Sequence, residues 1–324
     1  RQQGPALMEE LGLVCVSSSL AGFFGRLACH PLDTCKARLQ AVSATGKPLF
    51  EGIANTFATT VRREGLRGLY RGFAAVAVGG TPATCIYLTS YDLCKKRMET
   101  AGVLPSAATH LLSGLVAETV SCVVFVPVDV IKERLQIQQK QKQQHHNHHH
   151  HNQRASASLE QVSYRGSSHA LRSILREEGF GGIYRGYGAT LFSFGPFSAL
   201  YFTFYEELKR RAHEAFSPAP TPPLLTLCCA SAAGGLAAWL TSPLDLAKLR
   251  MQVERRDQSR AGSRGRTYTG LVSSLRHIAQ REGLSGLFRG SLARVAFTAP
   301  NTALTMFLFE EIRRHLADGT HFRA

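Results

Sequence analysis

The chain has 324 residues, enough for one large domain or two ordinary ones, and its 38 Lys and Arg against 23 Asp and Glu give a formal net charge of +15. This surplus favours an anionic partner, such as nucleic acid, acidic lipid or an anionic solute. None of the eight cysteines forms a C-x-x-C pair and most lie in apolar runs. This pattern predicts reduced thiols and argues against a zinc or disulfide framework.

Six long apolar stretches follow one another along the chain. They cover approximately residues 11–39, 73–93, 104–135, 187–208, 224–251 and 292–312. Each exceeds the roughly 20 residues that a helix needs to cross a bilayer. Each also carries Gly, Ser, Thr or an isolated charge, as expected of a helix with one face toward lipid and the other toward water. The pattern predicts an all-α membrane protein and leaves a soluble helical bundle open as the alternative.

Three sequence motifs each occur three times. The proline motif reads PLDTCKARLQ from Pro31, PVDVIKERLQ from Pro127 and PLDLAKLRMQ from Pro243. The acidic-glycine motif reads EGLRGLYRG from Glu64, EGFGGIYRG from Glu178 and EGLSGLFRG from Glu282. The aromatic-acid motif reads YDLCK from Tyr91, YEELK from Tyr205 and FEEIR from Phe309, in each case 27 residues after the acidic-glycine motif.

The spacing between the first two motifs varies, at 33, 51 and 39 residues. A constant span joined to a variable one is typical of repeats that collect insertions in one loop. We therefore predict three repeats, at 7–102, 103–216 and 217–318, with a His- and Gln-rich loop at 139–163 in the second.

With these three motifs in register over essentially its whole length, the chain resembles the mitochondrial carrier family. The resemblance implies six transmembrane helices in three pseudo-threefold repeats, with a short matrix helix in each. It also implies a multi-pass, monomeric protein of the mitochondrial inner membrane that carries a small solute by alternating access. The chain has no nucleophile–base constellation and no phosphate-binding loop, so no enzyme activity is predicted, and its scattered basic residues do not favour nucleic acid.

The proline motifs predict a gate at the matrix ends of the odd-numbered helices, because proline kinks a helix. The acid and base of each motif lie three residues apart, so a local pair within each helix is one interpretation. The resemblance instead pairs each acid with the next odd helix, as Asp33–Lys132, Asp129–Lys248 and Asp245–Lys36. By the same resemblance, a glutamine four residues past each lysine braces these pairs: Gln40, Gln136 and Gln252. This ring would have to part for the cavity to reach the matrix; its lysine and aspartate members are Asp33, Lys36, Asp129, Lys132, Asp245 and Lys248.

The aromatic-acid motifs predict a second, cytoplasmic gate. Its residues are Tyr91, Asp92, Lys95, Tyr205, Glu206, Lys209, Glu310 and Arg313. The resemblance implies three cross-helix pairs when this side closes: Asp92–Lys209, Glu206–Arg313 and Glu310–Lys95. Repeat three has Phe309 in place of a tyrosine, which removes one hydroxyl from the gate. We therefore expect the unliganded protein to rest with its matrix gate shut. The alternative to a cytoplasmic gate is that these charged helix ends form a solvated surface.

Glycines mark the helix starts in every repeat. They are Gly52, Gly72, Gly166, Gly186, Gly270 and Gly290. Free N–H groups at a helix N-terminus bind phosphate well, and the resemblance implies structural cardiolipin at these positions. Ordinary helix-start glycines are the alternative. No other cofactor is expected.

Substrate selection is expected at mid-membrane, about 18 Å of helix away from the aromatic-acid motif. The resemblance points to three pairs of positions: Gly79 and Gly80, Ser193 and Phe194, and Phe297 and Thr298. Charged candidates from the sequence are Arg26, Glu118 and Arg294. Two arginines and one glutamate fit a small anionic or zwitterionic organic solute, whereas helix–helix pairing is the alternative for each charge.

Two further features leave alternatives open. Six of the 13 histidines lie at His145–His151 between polar residues, which predicts a disordered loop without a dedicated role, or loose metal binding. ARVAFTAPNTAL at residues 293–304 resembles mitoferrins, so a divalent iron carrier is the rival function. Methionine is scarce, and no metal site is predicted.

Overall fold

A computed structural model describes residues 3–41, 50, 52–101, 106–138, 164–216, 223–254 and 268–321. Within these ranges the chain is helical, with no strand. The helices are α1 (Gln3–Gln40), α2 (Ile53–Glu64), α3 (Leu66–Leu69), α4 (Phe73–Ala101), α5 (Ser106–Ile137), α6 (Ser167–Glu178), α7 (Phe180–Ile183), α8 (Tyr187–Phe216), α9 (Pro223–Leu240), α10 (Ser242–Val253), α11 (Leu271–Leu287) and α12 (Ser291–His321).

The same order of elements occurs three times, which confirms the prediction of an all-α protein. Each repeat has a long helix with the proline motif, a short amphipathic helix and a second long helix. α1 and α5 continue through their prolines, but the third repeat is interrupted at Thr241, where α9 and α10 meet at 65°. The single stretch predicted at 224–251 is therefore two helices, although the equivalent Pro31 and Pro127 lie inside continuous helices.

The glycine of the acidic-glycine motif directly follows α2 and α6 and forms a kink inside α11. Gly65, Gly179 and Gly283 have φ of 72°, 71° and 72°. Residues with a Cβ rarely adopt this left-handed conformation, so the turn requires glycine. The short helices before it bury residues four apart, such as Ala170 and Ile174 on α6, so one face packs inward and the other stays exposed.

The long helices form a closed ring. α1 packs against α4, α4 against α5, α5 against α8, α8 against α9, α9 against α12, and α12 against α1. α1, α5 and α10 also contact one another, which brings the three proline motifs together at one end. The substrate positions and both predicted gates therefore belong to one ring of helices.

Among the residues that the structure describes, three helical segments are long and apolar enough to span a membrane by length and composition alone: Gly12–Gln40, Leu66–Ala101 and Ala108–Ile137. A fourth is the bent pair Leu224–Leu240 and Ser242–Val253. Large apolar side chains are exposed along the long helices, including Val120 on α5 and Phe192 on α8. Such surface suits a lipid environment. The predicted loop at His145–His151 lies outside the described residues.

Candidate functional site

Nine residues of the proline motifs meet where α1, α5 and α10 converge. They are called the matrix network here: Asp33, Lys36, Gln40, Asp129, Lys132, Gln136, Asp245, Lys248 and Gln252. The structure forms the three inter-helix pairs of the sequence prediction: Lys36–Asp245 at 2.7 Å, Lys132–Asp33 at 3.0 Å and Lys248–Asp129 at 2.7 Å. Lys132 also lies 3.6 Å from Asp129 of its own helix. The inter-helix pairs are shorter, so the motifs link the helices to one another.

A glutamine braces each of these pairs. The Nε2 atoms of Gln40, Gln136 and Gln252 donate to Asp245, Asp33 and Asp129 at 3.2, 3.1 and 3.2 Å. All three glutamines are fully buried. Each aspartate thus accepts a charged and a neutral hydrogen bond from neighbouring helices, and its negative charge is compensated although it lies away from water.

A second layer of buried charge lies beside the matrix network, and the sequence reasoning missed it. Each arginine two residues past the network lysine pairs with the glutamate of the acidic-glycine motif in its own repeat: Arg38–Glu64, Arg134–Glu178 and Arg250–Glu282. The three arginines are 1% exposed. Their Nε atoms also donate to the backbone carbonyls of Gln136, Gln252 and Gln40 on the next helix, at 2.9, 3.0 and 3.5 Å.

The sequence carried a signal for this arginine layer. The arginine occurs seven residues after the proline in all three repeats, and every repeat also has the glutamate that begins the acidic-glycine motif. A buried arginine is costly unless it is paired, so its threefold recurrence in a core helix indicates a fixed acidic partner.

The residues of the predicted cytoplasmic gate, here called the cytoplasmic network, lie at the other end of the ring. Their charged groups are arranged differently from those of the matrix network. Asp92 pairs with Lys96 and Lys95 with Glu99, both within α4 and partly exposed. Among the described residues, the two cross-helix pairs that would use Asp92 and Lys95 are therefore not made. Lys209 lies 5.8 Å from the ring of Tyr205 on its own helix, and Tyr91 hydrogen-bonds to His110 Nδ1 at 2.7 Å. In this conformation the matrix network is paired between helices, whereas Asp92 and Lys95 of the cytoplasmic network pair within α4.

A cavity of about 190 Å³ lies directly on the matrix network. Beyond the network itself, its lining residues include Arg26, His30, Phe125, Glu133, Phe297 and Asn301. The guanidinium carbon of Arg26 lies 5.8 Å from the centre of the Phe125 ring. A Cβ built on Gly80 would lie 3.8 Å from Arg26 Nη1, so the small residue leaves space beside the cation. Arg26, Gly80 and Phe297 are thus placed in or beside one cavity.

Two of the predicted contact residues face neighbouring helices. A Cβ on Gly79 would collide with Val128 of α5, so this glycine permits close packing of α4 and α5. The methyl group of Thr298 lies against Gly234 of α9. Sequence spacing places a residue at a depth along a helix but does not say which face it occupies.

The remaining predicted contacts lie on α5 and α8. Ser193 donates to the carbonyl of Ala189 at 2.7 Å, and the ring of Phe194 packs edge-on against Tyr87 at 6.4 Å. Glu118 accepts a hydrogen bond from the Cys122 thiol at 3.4 Å. Their roles as substrate contacts stay predictions.

Arg294 reaches into the matrix network. It is 9% exposed, its Nη1 donates to the carbonyl of Ala238 at 2.9 Å, and its Nε lies 3.6 Å from Asp245. Its guanidinium also lies 5.8 Å from the ring of Phe197, at the end of a stack with Tyr201 and Tyr205. With these partners, Arg294 supplies a second cation to Asp245 in this conformation.

The predicted lipid-binding glycines fall into two sets. Gly72, Gly186 and Gly290 have φ between 74° and 80°, and a Cβ on any of them would come within about 2.9 Å of Lys132, Gln252 or Gln40. These three glycines let the turn approach the matrix network. The other three lie at the starts of α2, α6 and α11: Gly52, Gly166 and Gly270. Cardiolipin at any of the six stays a prediction.

The three-repeat arrangement also matches known proteins. The sequence model described as "Mitochondrial carrier protein" matches residues 9–102, 104–215 and 219–320, one match for each repeat. The chain belongs to the mitochondrial carrier family. Members of this family are transporters of small-molecule solutes, and each repeat contributes two transmembrane helices.

Individual carriers resemble the chain over nearly its whole length. It is 32% identical to mitochondrial substrate carrier family protein E of Dictyostelium discoideum, over 93% of this chain and 95% of that carrier. It is 31% identical to mitochondrial citrate transporter C of Aspergillus niger, over 92% and 89% of the two chains. It is 28% identical to the chloroplastic protein MITOFERRINLIKE 1 of Arabidopsis thaliana, over 92% and 66%.

Proposed function

We propose that this carrier transports a small anionic or zwitterionic organic solute across the mitochondrial inner membrane by alternating access. The observation that carries the proposal is the cavity that holds Arg26 directly above the paired matrix network. A solute bound there would contact both the selecting cation and the residues that must part for its release.

The two networks give this motion a physical basis. The matrix network is paired, and Asp92 and Lys95 at the opposite end engage partners on their own helix. A solute that draws the helices together around Arg26 would favour new pairs at the cytoplasmic end and compensate for pairs lost at the matrix end. A ligand shifts such an equilibrium only by its difference in affinity for the two states, so the gates must be near balance.

Arg26 is the residue that we assign to the anionic group of the solute. It lines the cavity and no ion pair of Arg26 is present among the described residues, whereas Arg294 is engaged with Asp245. The neighbouring Phe125 and Phe297 give the cavity apolar walls, which strengthen a charged contact by excluding water. Citrate transport by a relative that is 31% identical makes citrate a suitable first probe.

The test is uptake of radiolabelled solutes into liposomes that contain the purified protein. The panel holds citrate, other carboxylates, amino acids and the ions Fe²⁺ and Mn²⁺. Arg26→Ala should lower uptake of the transported solute about tenfold or more, because a hydrogen bond to a charged group contributes about 1.5–3 kcal/mol. Arg62→Ala, on the exposed face of α2, is the matched control and should transport normally. Normal uptake by Arg26→Ala would remove this residue from the site.

The rival function, a divalent iron carrier, is tested in the same panel. It is supported by the similarity to MITOFERRINLIKE 1. Among the described residues, no group of three or more His, Cys, Asp and Glu side chains is arranged to hold a metal ion. Uptake of Fe²⁺ or Mn²⁺ without uptake of any organic solute would replace our proposal with the rival.

We also propose that the carrier binds cardiolipin and is a monomer. The N–H groups at the starts of α2, α6 and α11 suit a phosphate group, and Gly52, Gly166 and Gly270 precede them. Cardiolipin added to the detergent-solubilised carrier should raise its melting temperature more than phosphatidylcholine does. Equal effects of the two lipids would contradict a specific site.

A further inference from the structure

Next to the matrix network lies an acid that has no counterpart in the other repeats. Glu133 follows Lys132 directly, and the equivalent positions hold Ala37 in repeat one and Leu249 in repeat three. Both of those apolar residues are buried. A carboxyl group therefore occupies a position that the fold fills twice with a hydrocarbon side chain, although burying a carboxylate is costly.

The geometry of Glu133 leaves one of its oxygens without a partner. The residue is 4% exposed and lines the cavity on the matrix network. Its Oε1 lies 3.0 Å from Lys132 Nζ. Its Oε2 is buried, and no hydrogen-bond donor reaches it among the described residues. An oxygen in this position either bears its own proton or lacks the stabilisation that buried carboxylates normally have.

The surrounding charges favour a proton on Glu133. Lys132 is shared by three carboxyl groups, with Asp33 at 3.0 Å, Asp129 at 3.6 Å and Glu133 at 3.0 Å. Lys36 and Lys248 also face this region from α1 and α10. Each of them already lies 2.7 Å from another aspartate, Asp245 and Asp129 respectively.

The charge is distributed unevenly between the repeats. Asp245 has two cations beside it, Lys36 and Arg294. Around Lys132 the ratio is reversed, with several carboxyl groups for one ammonium. His30 lines the same cavity, and its Nε2 lies 3.1 Å from the carbonyl of Arg71. With Glu133 neutral, Lys132 would have Asp33 as its inter-helix partner, as Lys36 and Lys248 each have one aspartate of another helix.

We propose that Glu133 carries a proton while the matrix network is closed and releases it on the matrix side when the network opens, which makes this carrier a proton–solute symporter. The inference rests on the proposed transport function. A hydronium ion in the water of the cavity supplies the proton: one of its O–H bonds breaks, a water molecule is left, and the new O–H bond forms on Oε2. When α1 moves away, Asp33 leaves Lys132, the ammonium group pairs fully with Glu133, the O–H bond breaks and the proton passes to matrix water.

A proton suits this oxygen better than the ammonium group of a solute does. Oε2 is buried below the cavity surface, so a bulky cation would have to displace the side chains that cover it. A proton needs only one transient chain of water. Proton uptake also compensates one negative charge of an anionic solute, which lowers the electrical cost of its entry.

The proton itself can be detected without any solute. Infrared difference spectra of the reconstituted full-length carrier at low and high pH should show the carbonyl band of a neutral carboxyl group that is lost as pH rises. Glu133→Gln and Glu133→Leu should lack this band, and the leucine variant copies repeat three so that it can fold. Glu177→Gln, on the exposed face of α6, should keep the band. The same band in the leucine variant, or no such band in the wild type, would overturn the proposal.

Transport supplies the second measurement, with citrate as the probe and the membrane potential clamped. An inside-alkaline gradient of about one pH unit should raise citrate accumulation by about tenfold for one coupled proton. Glu133→Leu should lose this dependence on the gradient, whereas Glu177→Gln, on the exposed face of α6, should keep it. Gradient-driven accumulation by Glu133→Leu would overturn the proposal. A wild type that takes up no citrate would count against the choice of solute, and the infrared spectra would still decide the role of Glu133.

Discussion

The matrix and cytoplasmic networks are built from the same number of repeats but differ in burial and in partner. At the matrix end, Lys36, Lys132 and Lys248 each reach an aspartate of another helix, and their side chains are at most 15% exposed. At the cytoplasmic end, Lys96 and Asp92 pair within one helix and are 40% and 30% exposed. Exposed pairs contribute only about 0–1 kcal/mol each, whereas breaking a buried pair costs several times as much.

This difference in burial and pairing explains how one ring of helices can form two gates. At the matrix end, the arginine layer lies buried beside the gate and ties each proline motif to the acidic-glycine motif of its own repeat. The cytoplasmic end consists of helix termini in water, where pairs can form and break at little cost. A carrier with both ends built like the matrix end would be expected to stay in one state.

The largest expected effect comes from the arginine layer. Arg134→Ala would leave Glu178 buried without its cation, which costs about 3–5 kcal/mol. We expect a clear loss of thermal stability of the detergent-solubilised protein, measured by a thermal unfolding assay. Arg211→Ala removes an arginine of the exposed pair with Glu207 and is the matched control, with little expected change. Equal melting temperatures for the two variants would contradict the structural role of the layer.

The sequence predicted the matrix network more completely than any other part of the site. Its three pairs were implied by the resemblance to the carrier family, and the threefold repetition of one motif favoured a closed ring. The arginine layer was missed because each partner glutamate follows at a variable distance, although both motifs were recognised. The roles of Gly79 and Thr298 as substrate contacts stay predictions, because depth along a helix is readable from spacing, while the direction of a side chain depends on the neighbouring helix.

The interruption of the helix at Thr241 also could not be predicted from the sequence. Pro31, Pro127 and Pro243 occupy equivalent places, yet only the third lies next to a break. The motif is the same, so the difference comes from the packing around each helix. The excess carboxyl group at Glu133 was visible in PVDVIKERLQ, but its meaning depends on which side chains share Lys132.

A smaller effect is expected from a substitution that strengthens the cytoplasmic network, the weaker of the two. Phe309→Tyr restores the hydroxyl that the other two aromatic-acid motifs have, and one hydrogen bond contributes about 0.5–1.5 kcal/mol. We expect the closed state of the cytoplasmic network to become several-fold more populated. A single cysteine at Phe297, which lines the cavity, should then react more slowly with an impermeant thiol reagent added from the cytosolic side.

Two controls belong to this labelling experiment. The reporter cysteine is placed on a background without other cysteines, because the chain has eight. Phe307→Tyr, at an exposed position of the same helix, adds a hydroxyl away from the motif and should leave labelling unchanged. Equal labelling with and without the hydroxyl at Phe309 would show that the aromatic ring, and not a hydrogen bond, sets the balance of the two networks.

The smallest effect is expected from the insertion in repeat two, which lengthens the connection after the matrix network. Deleting residues 143–158 removes the histidine run and leaves the motifs of α5 and α6 intact. Loop-closure entropy changes slowly with length, by about 0.6 kcal/mol for each doubling, so the matrix network should keep its stability. Transport in liposomes and the melting temperature should both match those of the full chain. A deletion variant that folds but transports poorly, and recovers when polyglycine–serine of equal length replaces the segment, would show that length matters. Recovery only with the histidines would assign them a role in transport.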